Sequence, residues 1–436
     1  MMAVRNLICG LVVGAAWGQA FNDFEDPPHR YWETPPRDVA TRLHERMARG
    51  DVRLPAGDPL VFLKAYLREL KVPESSQLLV FSKTALQRQL VHASNPRAIY
   101  FNEDVSVAYV PGGKIEVAAV DPVLGGIFYI FDPPGAEAGL PEFERPARCL
   151  GCHAGSATSF LPGLMTHSVL AQDDGQVLGE APSHFSGHEA PVSDRWGGWV
   201  VTGETGGLTH LGNRIARLRP DQRLTVPFGD PAARMTAEHF LSGARSEVAA
   251  LLVFDHTVGA VNRLMEANDR LRTALATTAP GDPDAAPLTG SALEVAREQA
   301  DRLTRYLLFA EEAALPASGL SVDNAFAAAY RAGTGTDADG RSLKDLSLEG
   351  RIFQFRCSPM VDSEAFRGLP RAFRTLVWQH LNEALQDDPV SAAGTHLPPE
   401  ERAAIRSILR ATQPEFAGLE SNRQDPVKVS GSPPGK

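Results

Sequence analysis

The order of apolar patterns along the chain predicts an α+β protein, mostly helical, with a small antiparallel sheet before a loop-rich segment and a helical C-terminal half. Three observations carry this. Helical spacing dominates both ends of the chain, short alternating runs fill Gln77 to Asp132, and the stretch from Asp132 to Asn213 is rich in glycine, proline and histidine with few periodic runs. The chain has 436 residues, enough for two or three lobes. Its 43% hydrophobic and 22% charged residues are the balance of an ordinary soluble globular protein. The net charge of -10, with no basic cluster, argues against a nucleic-acid partner, because binding phosphates needs a concentrated positive face.

Taken in order, the N-terminus reads as a secretory signal peptide over residues 1–20. Arg5 precedes the apolar run Leu7 to Trp17, and Gly18 and Ala20 offer small residues for cleavage after Ala20. The run is too short to cross a bilayer, so no transmembrane anchor is expected after cleavage, and the mature protein is expected to be periplasmic or secreted. Residues 21–132 are expected to form an irregular acidic lead, helices over Arg37 to Arg49 and Pro59 to Leu70, and the sheet. Its strands are LLVF, AIYF, VSVAYV, KIEVAAV and GIFYIF, with a hairpin at Pro111-Gly112-Gly113 and a further helix in KTALQRQLV. Residues 133–213 form the loop-rich segment, where long irregular stretches tend to carry function. Residues 214–420 should be helical, over Ala232 to Ala276, Ser291 to Ala314, Val322 to Arg331, Ala372 to Gln386 and PPEERAAIRSILRAT. Residues 421–436 read as a disordered tail.

The chain has only 4 cysteines, and two stand in Arg148-Cys149-Leu150-Gly151-Cys152-His153. Cysteines at i and i+3 project from one side of a single turn, so both sulfurs can reach the two vinyl groups on one edge of a haem, and His153 can offer a ring nitrogen to the iron. Two other readings compete. A redox dithiol of the thioredoxin kind wants a strand before it and a helix after it, and PEFERPAR and AGSATSFLPG supply neither. A zinc site would need a second ligand pair, for which only Cys357 and scattered histidines remain. Cys357 itself reads as a buried, inert small residue.

The five-residue pattern Cys149 to His153 resembles the attachment motif of c-type cytochromes. That resemblance implies one covalent haem c, with Cys149 and Cys152 as thioethers and His153 as the proximal ligand, attached outside the cytoplasm. The wider chain is similar to a group of large, exported, single-haem cytochrome c-like proteins. The stretches that carry the likeness are LLVFSKTALQ, NPRAIYFNEDV, RCLGCH, RWGGWVVTG and FRCSPM.

What fills the other axial position decides the function. Met165, His167, His184, His188, His210, His239, His256, Met265 and Met360 are the candidates, with His210 expected first and His188 second. In Arg195-Trp196-Gly197-Gly198-Trp199, the glycines suit close approach to a flat cofactor, the two indoles suit its walls, and Arg195 suits a haem propionate. A hairpin with two core tryptophans is the competing expectation. Glu189, Asp194 and Glu204 are candidates for proton handling. The expected function is one-electron transfer to a redox partner protein. The alternatives are a haem enzyme with an open iron site, peroxidase-like or small-gas-converting, and a haem-free exported binding protein whose CxxC is a disulfide.

Overall fold

The computed structural model describes residues 24–137, 139–180, 187–221, 223–388 and 391–424. The expected signal peptide, His184 and the end of the tail lie outside these residues. Among the described residues the fold is α+β, with ten helices, 38% helix and 12% strand.

Helices α1 (Val39–Ala48) and α2 (Pro59–Glu69) come first, each opened by an aspartate. Asp38 is fully buried and its carboxylate accepts from the backbone N–H groups of Ala40 and Thr41 at 2.9 Å, from Thr41 Oγ1 at 2.7 Å and from Tyr129 Oη at 2.9 Å. One side chain thus caps α1 and ties it to the sheet. Asp38→Ala removes the cap and the buried acceptor shared by Thr41 and Tyr129, so it should cost about 2–3 kcal/mol in urea unfolding. A loss below about 0.5 kcal/mol, the size of a surface substitution, would contradict this role.

The sheet is a five-stranded antiparallel meander in the order β1 (Leu78–Val80), β2 (Arg97–Phe101), β3 (Val105–Tyr109), β4 (Ile115–Asp121) and β5 (Gly125–Phe131). Alternation along the strands sorts side chains onto two faces. Tyr100, Val107, Ile115, Val117 and Phe131 pack with Leu43, Met47, Phe62 and Tyr66 of α1 and α2 in one core. The other face carries two cross-strand rows, Ile99–Ala108–Glu116–Ile130 and Phe101–Ser106–Ala118–Phe128. Three of these eight residues are alanine or serine at the centre of the sheet, which leaves room above it.

Next come the short helix α3 (Leu150–His153) and two hairpins, β6 (Val169–Ala171) with β7 (Val177–Glu180) and β8 (Arg217–Leu218) with β9 (Leu224–Thr225). The C-terminal half is helical: α4 (Val248–Thr278), α5 (Gly290–Leu307), α6 (Asn324–Arg331), α7 (Glu364–Arg367), α8 (Arg371–Ala384), α9 (Pro399–Thr412) and α10 (Pro414–Gln424). By length and composition α4 alone among the described helices could cross a membrane, but 89% of its most apolar stretch is packed inside the protein. It is the central helix of the second core, against α5 and the cavity face of the sheet.

Four expectations change, the first being that α5 ends at Leu307 and not at Ala314. No helix forms over Lys83 to Val91. The segment is a run of turns, held where Gln87 donates from Nε2 to Lys114 O at 3.0 Å and accepts from Lys114 N at 2.7 Å. Helix α4 begins at Val248 instead of Ala232. Gln77 Nε2 donates to the carbonyls of Gly243 and Arg245, and Tyr100 Oη accepts from Leu241 N, so these backbone groups are spent on tertiary contacts. Finally, α10 continues through Gln424, beyond the expected start of the tail.

Candidate functional site

A cavity of ≈ 600 Å³ lies on the open face of the sheet. Its floor is Ile99, Ser106, Ala108, Ala118, Phe128 and Ile130, and Cys149, Cys152, His153, Trp199 and Phe254 line it from other elements.

The motif reaches this place through backbone pairing. Ile130 and Glu144 exchange N–H···O bonds of 2.9 and 3.1 Å, so the chain leaves the sheet edge only at Pro146. A 3-10 turn over Ala147–Cys149 then runs directly into α3. His153 Nδ1 is 3.0 Å from Gly163 O, and Gly163 N donates back to His153 O at 2.8 Å. Gly163 has no room for a side chain, since a Cβ there would lie 2.6 Å from Asn262 Oδ1. Asn262 of α4 clamps the next residue, accepting from Leu164 N at 2.9 Å and donating to Leu164 O at 2.8 Å. The imidazole packs on Phe128 with centroids 4.3 Å apart.

With Nδ1 donating to a carbonyl, the lone pair of His153 resides on Nε2. Burial pushes its pKa down to about 4, so the ring is neutral near pH 7. Burial pushes the Cys149 thiol up to about 11, the opposite of the acidic thiolate that a redox CxxC requires. Both cysteines are free thiols. Among the described residues, no three His, Cys, Asp or Glu side chains converge where they could hold a bare metal ion.

Cations surround the cavity. Lys83, Arg88, Arg97 and Arg148 line it, and Arg97 pairs with Glu116 at 3.1 Å while its buried Nε has no partner. The side chains of Arg88 and Arg148 form no hydrogen bond or ion pair among the described residues. A planar apolar group with acidic substituents would meet the floor with its ring and these guanidinium groups with its acids.

The other predicted site residues are dispersed. Trp199 lines the cavity and donates from Nε1 to His167 O at 2.6 Å. Arg195 and Trp196 face α4 instead. The Arg195 guanidinium, 6% exposed, donates to His188 O at 2.9 Å and lies 3.5 Å from Asp255, to which Trp196 Nε1 donates at 2.9 Å. Arg195 is therefore committed to a buried partner and not available to a propionate. The glycine pair does allow close approach, but to protein: a Cβ on Gly198, at φ +80°, would lie 2.6 Å from Ser82 Cβ, and Gly198 O accepts from Phe81 N.

Neither expected distal histidine lines the cavity. His210 packs beside Trp196 and Phe228, and His188 is buried against His256, Tyr306 and Phe309. The candidates that do line it are Met165, half-buried, and His167, more exposed. Glu189, Asp194 and Glu204 lie outside the lining, whose acid is Glu116. Cys357 is fully buried, which raises its thiol pKa. The sequence reading missed Arg88, Arg97, Glu116 and Arg148. For Arg97 and Glu116 the available signal was the period-two row of small and charged residues in RAIYF, VSVAYV and KIEVAAV, opposite the apolar face; no local pattern marked Arg88 or Arg148.

No family model matches the chain, and neither a curated protein nor a solved structure resembles it significantly.

Proposed function

We propose that the chain is an exported monohaem c-type cytochrome that passes single electrons to and from a redox partner, with haem c joined to Cys149 and Cys152 and His153 as an iron ligand. The observation that carries this reading is the coincidence, on one cavity, of two free thiols and an imidazole whose Nδ1 is already engaged by Gly163 O. The cavity volume of ≈ 600 Å³ lies in the range of cofactor pockets. The scattered rather than convergent placement of the ligating groups suits an extended ring better than a single ion.

Bound there, haem would supply a one-electron iron couple. The chain's own residues do the rest. Gly163 holds the His153 ring so that Nε2 is free, and burial keeps that nitrogen unprotonated. The orphaned Nε of Arg97 and the unpaired guanidinium groups of Arg88 and Arg148 suit two carboxylates. The apolar floor excludes water, which tunes a redox potential. Met165 or His167, both on the cavity lining, would supply the second iron ligand in place of His210, which lies off it.

The test is optical. Reduced wild-type protein should show a low-spin c-type spectrum and form no carbon monoxide adduct. The M165A/H167A double variant should bind carbon monoxide readily, and H210A should behave as wild type. Ready adduct formation by the wild type would contradict the carrier reading in favour of an open-site enzyme. A colourless product from a host competent in haem attachment would refute haem altogether.

A further inference from the structure

A second pocket, of ≈ 260 Å³, opens between α4 and α5 and includes His188 in its wall. His188 is fully buried, and its Nε2 has no partner. Its Nδ1 lies 2.8 Å from His256 Nδ1, and His256 Nε2 lies 2.7 Å from Ser358 Oγ. Proton bookkeeping orients this chain. Ser358 Oγ already accepts from Met360 N at 3.1 Å, and its own proton has His256 Nε2 as an acceptor. His256 then carries its proton on Nδ1 and donates it to His188 Nδ1. His188 consequently bears its proton on Nε2, a buried N–H with nothing to receive it. The opposite orientation would leave the buried Ser358 hydroxyl proton without an acceptor.

The rest of the pocket divides into engaged and unengaged groups. Arg263 is paired with Glu189, Arg305 with Glu311, and Glu266 with Arg270 at 2.7 Å. Arg302 approaches carboxylates only at 3.7 and 3.9 Å, too far for a hydrogen bond. Gln299 is 4% exposed, lines the pocket and makes no side-chain hydrogen bond among the described residues. The spare capacity is thus weighted to donors: the His188 N–H, the Gln299 amide and the Arg302 guanidinium.

We propose that this pocket binds a small carboxylate, whose oxygens receive the His188 Nε2–H, the Gln299 amide and Arg302. A volume of ≈ 260 Å³ is about that of eight or nine liquid waters, room for an organic acid of modest size. The site is separate from the cavity at Cys149 and stands whether or not haem is attached there.

Acetate is the probe, titrated into the full-length protein by calorimetry, with the imidazole nitrogens followed by NMR in histidine-labelled protein. Saturable binding is expected, with movement of the His188 Nε2–H resonance on addition. Arg302→Gln, on a half-exposed side chain, should weaken binding at least tenfold without changing the melting temperature. Gln299→Leu serves as a second, buried variant that removes the amide. Absence of saturable binding, binding unaffected by both variants, or a His188 resonance that does not respond would each overturn the proposal.

Discussion

Filling the floor of the cavity should abolish haem attachment while leaving the fold intact. In the double variant A108F/A118F, two phenyl rings would rise from adjacent rows of the sheet into the ≈ 600 Å³ space that Ala108 and Ala118 line. Overpacking costs stability in a filled core, but here the rings enter a void and gain apolar contacts with Phe128, Leu164 and Phe254. The variant is therefore expected to keep its far-ultraviolet circular dichroism and cooperative unfolding, with covalent haem content below about a tenth of wild type. Full haem content in this variant would place the cofactor elsewhere. The complementary variant C149S/C152S should be equally colourless with the cavity unchanged, which separates loss of space from loss of chemistry.

The second large effect is a steep loss of stability below about pH 4. Burial holds His44 and His256 down at about 3, and burial with the neighbouring His256 holds His188 well below its ordinary value. An unfolded chain protonates these rings below about pH 6.5, while the native protein does not. The unfolded state therefore binds more protons, and stability falls as pH falls, by about 1.4 kcal/mol per pH unit for each ring. Buried carboxylates oppose this. Burial pushes Asp104 and Glu312 up to about 7 and raises Asp255 and Glu189, so the native state holds protons that the unfolded state has lost above about pH 4.5. Between about pH 4.5 and 6.5 the two sets largely cancel, and the profile should be shallow. Below about pH 4 the raised carboxylates are protonated in both states, and the three rings alone give a slope near 4 kcal/mol per pH unit; Asp337, Glu401 and Glu415, held low by hydrogen bonds to arginines, add to the loss in the same direction. Urea titrations from pH 3.5 to 7 measure it, and a flat profile below pH 4 would show that the histidines are protonated in the native state.

The parts of this molecule that were legible in its sequence are those specified locally. The Cys149–His153 turn needs only its own residues and the exit from the sheet at Pro146. The five strands were legible because alternation is a local pattern, and aspartates mark the starts of α1 and α2. What was not legible was set by contacts between distant residues. KTALQRQLV has helical composition, yet Gln87 is drawn to the Lys114 backbone and the segment wraps the cavity as turns. The lead-in to α4 is held open by Gln77 and Tyr100, more than 140 residues earlier. The Trp196–Trp199 stretch has the composition of a cofactor wall, but only Trp199 serves the cavity, because Arg195 and Trp196 are claimed by the buried Asp255. His210 and His188 were expected first, whereas Met165 and His167 follow the motif closely in sequence. The short excursion that places them on the lining depends on Gly163 and on Asn262 of α4, a partner that no local pattern indicates.

Intact-mass spectrometry of protein purified from a haem-attaching host addresses the central claim most directly. The account predicts the mature polypeptide plus one haem, retained after denaturation and lost when Cys149 and Cys152 are both serine. A native mass equal to the bare polypeptide, or lighter by two hydrogens because the two thiols have joined each other, would contradict it.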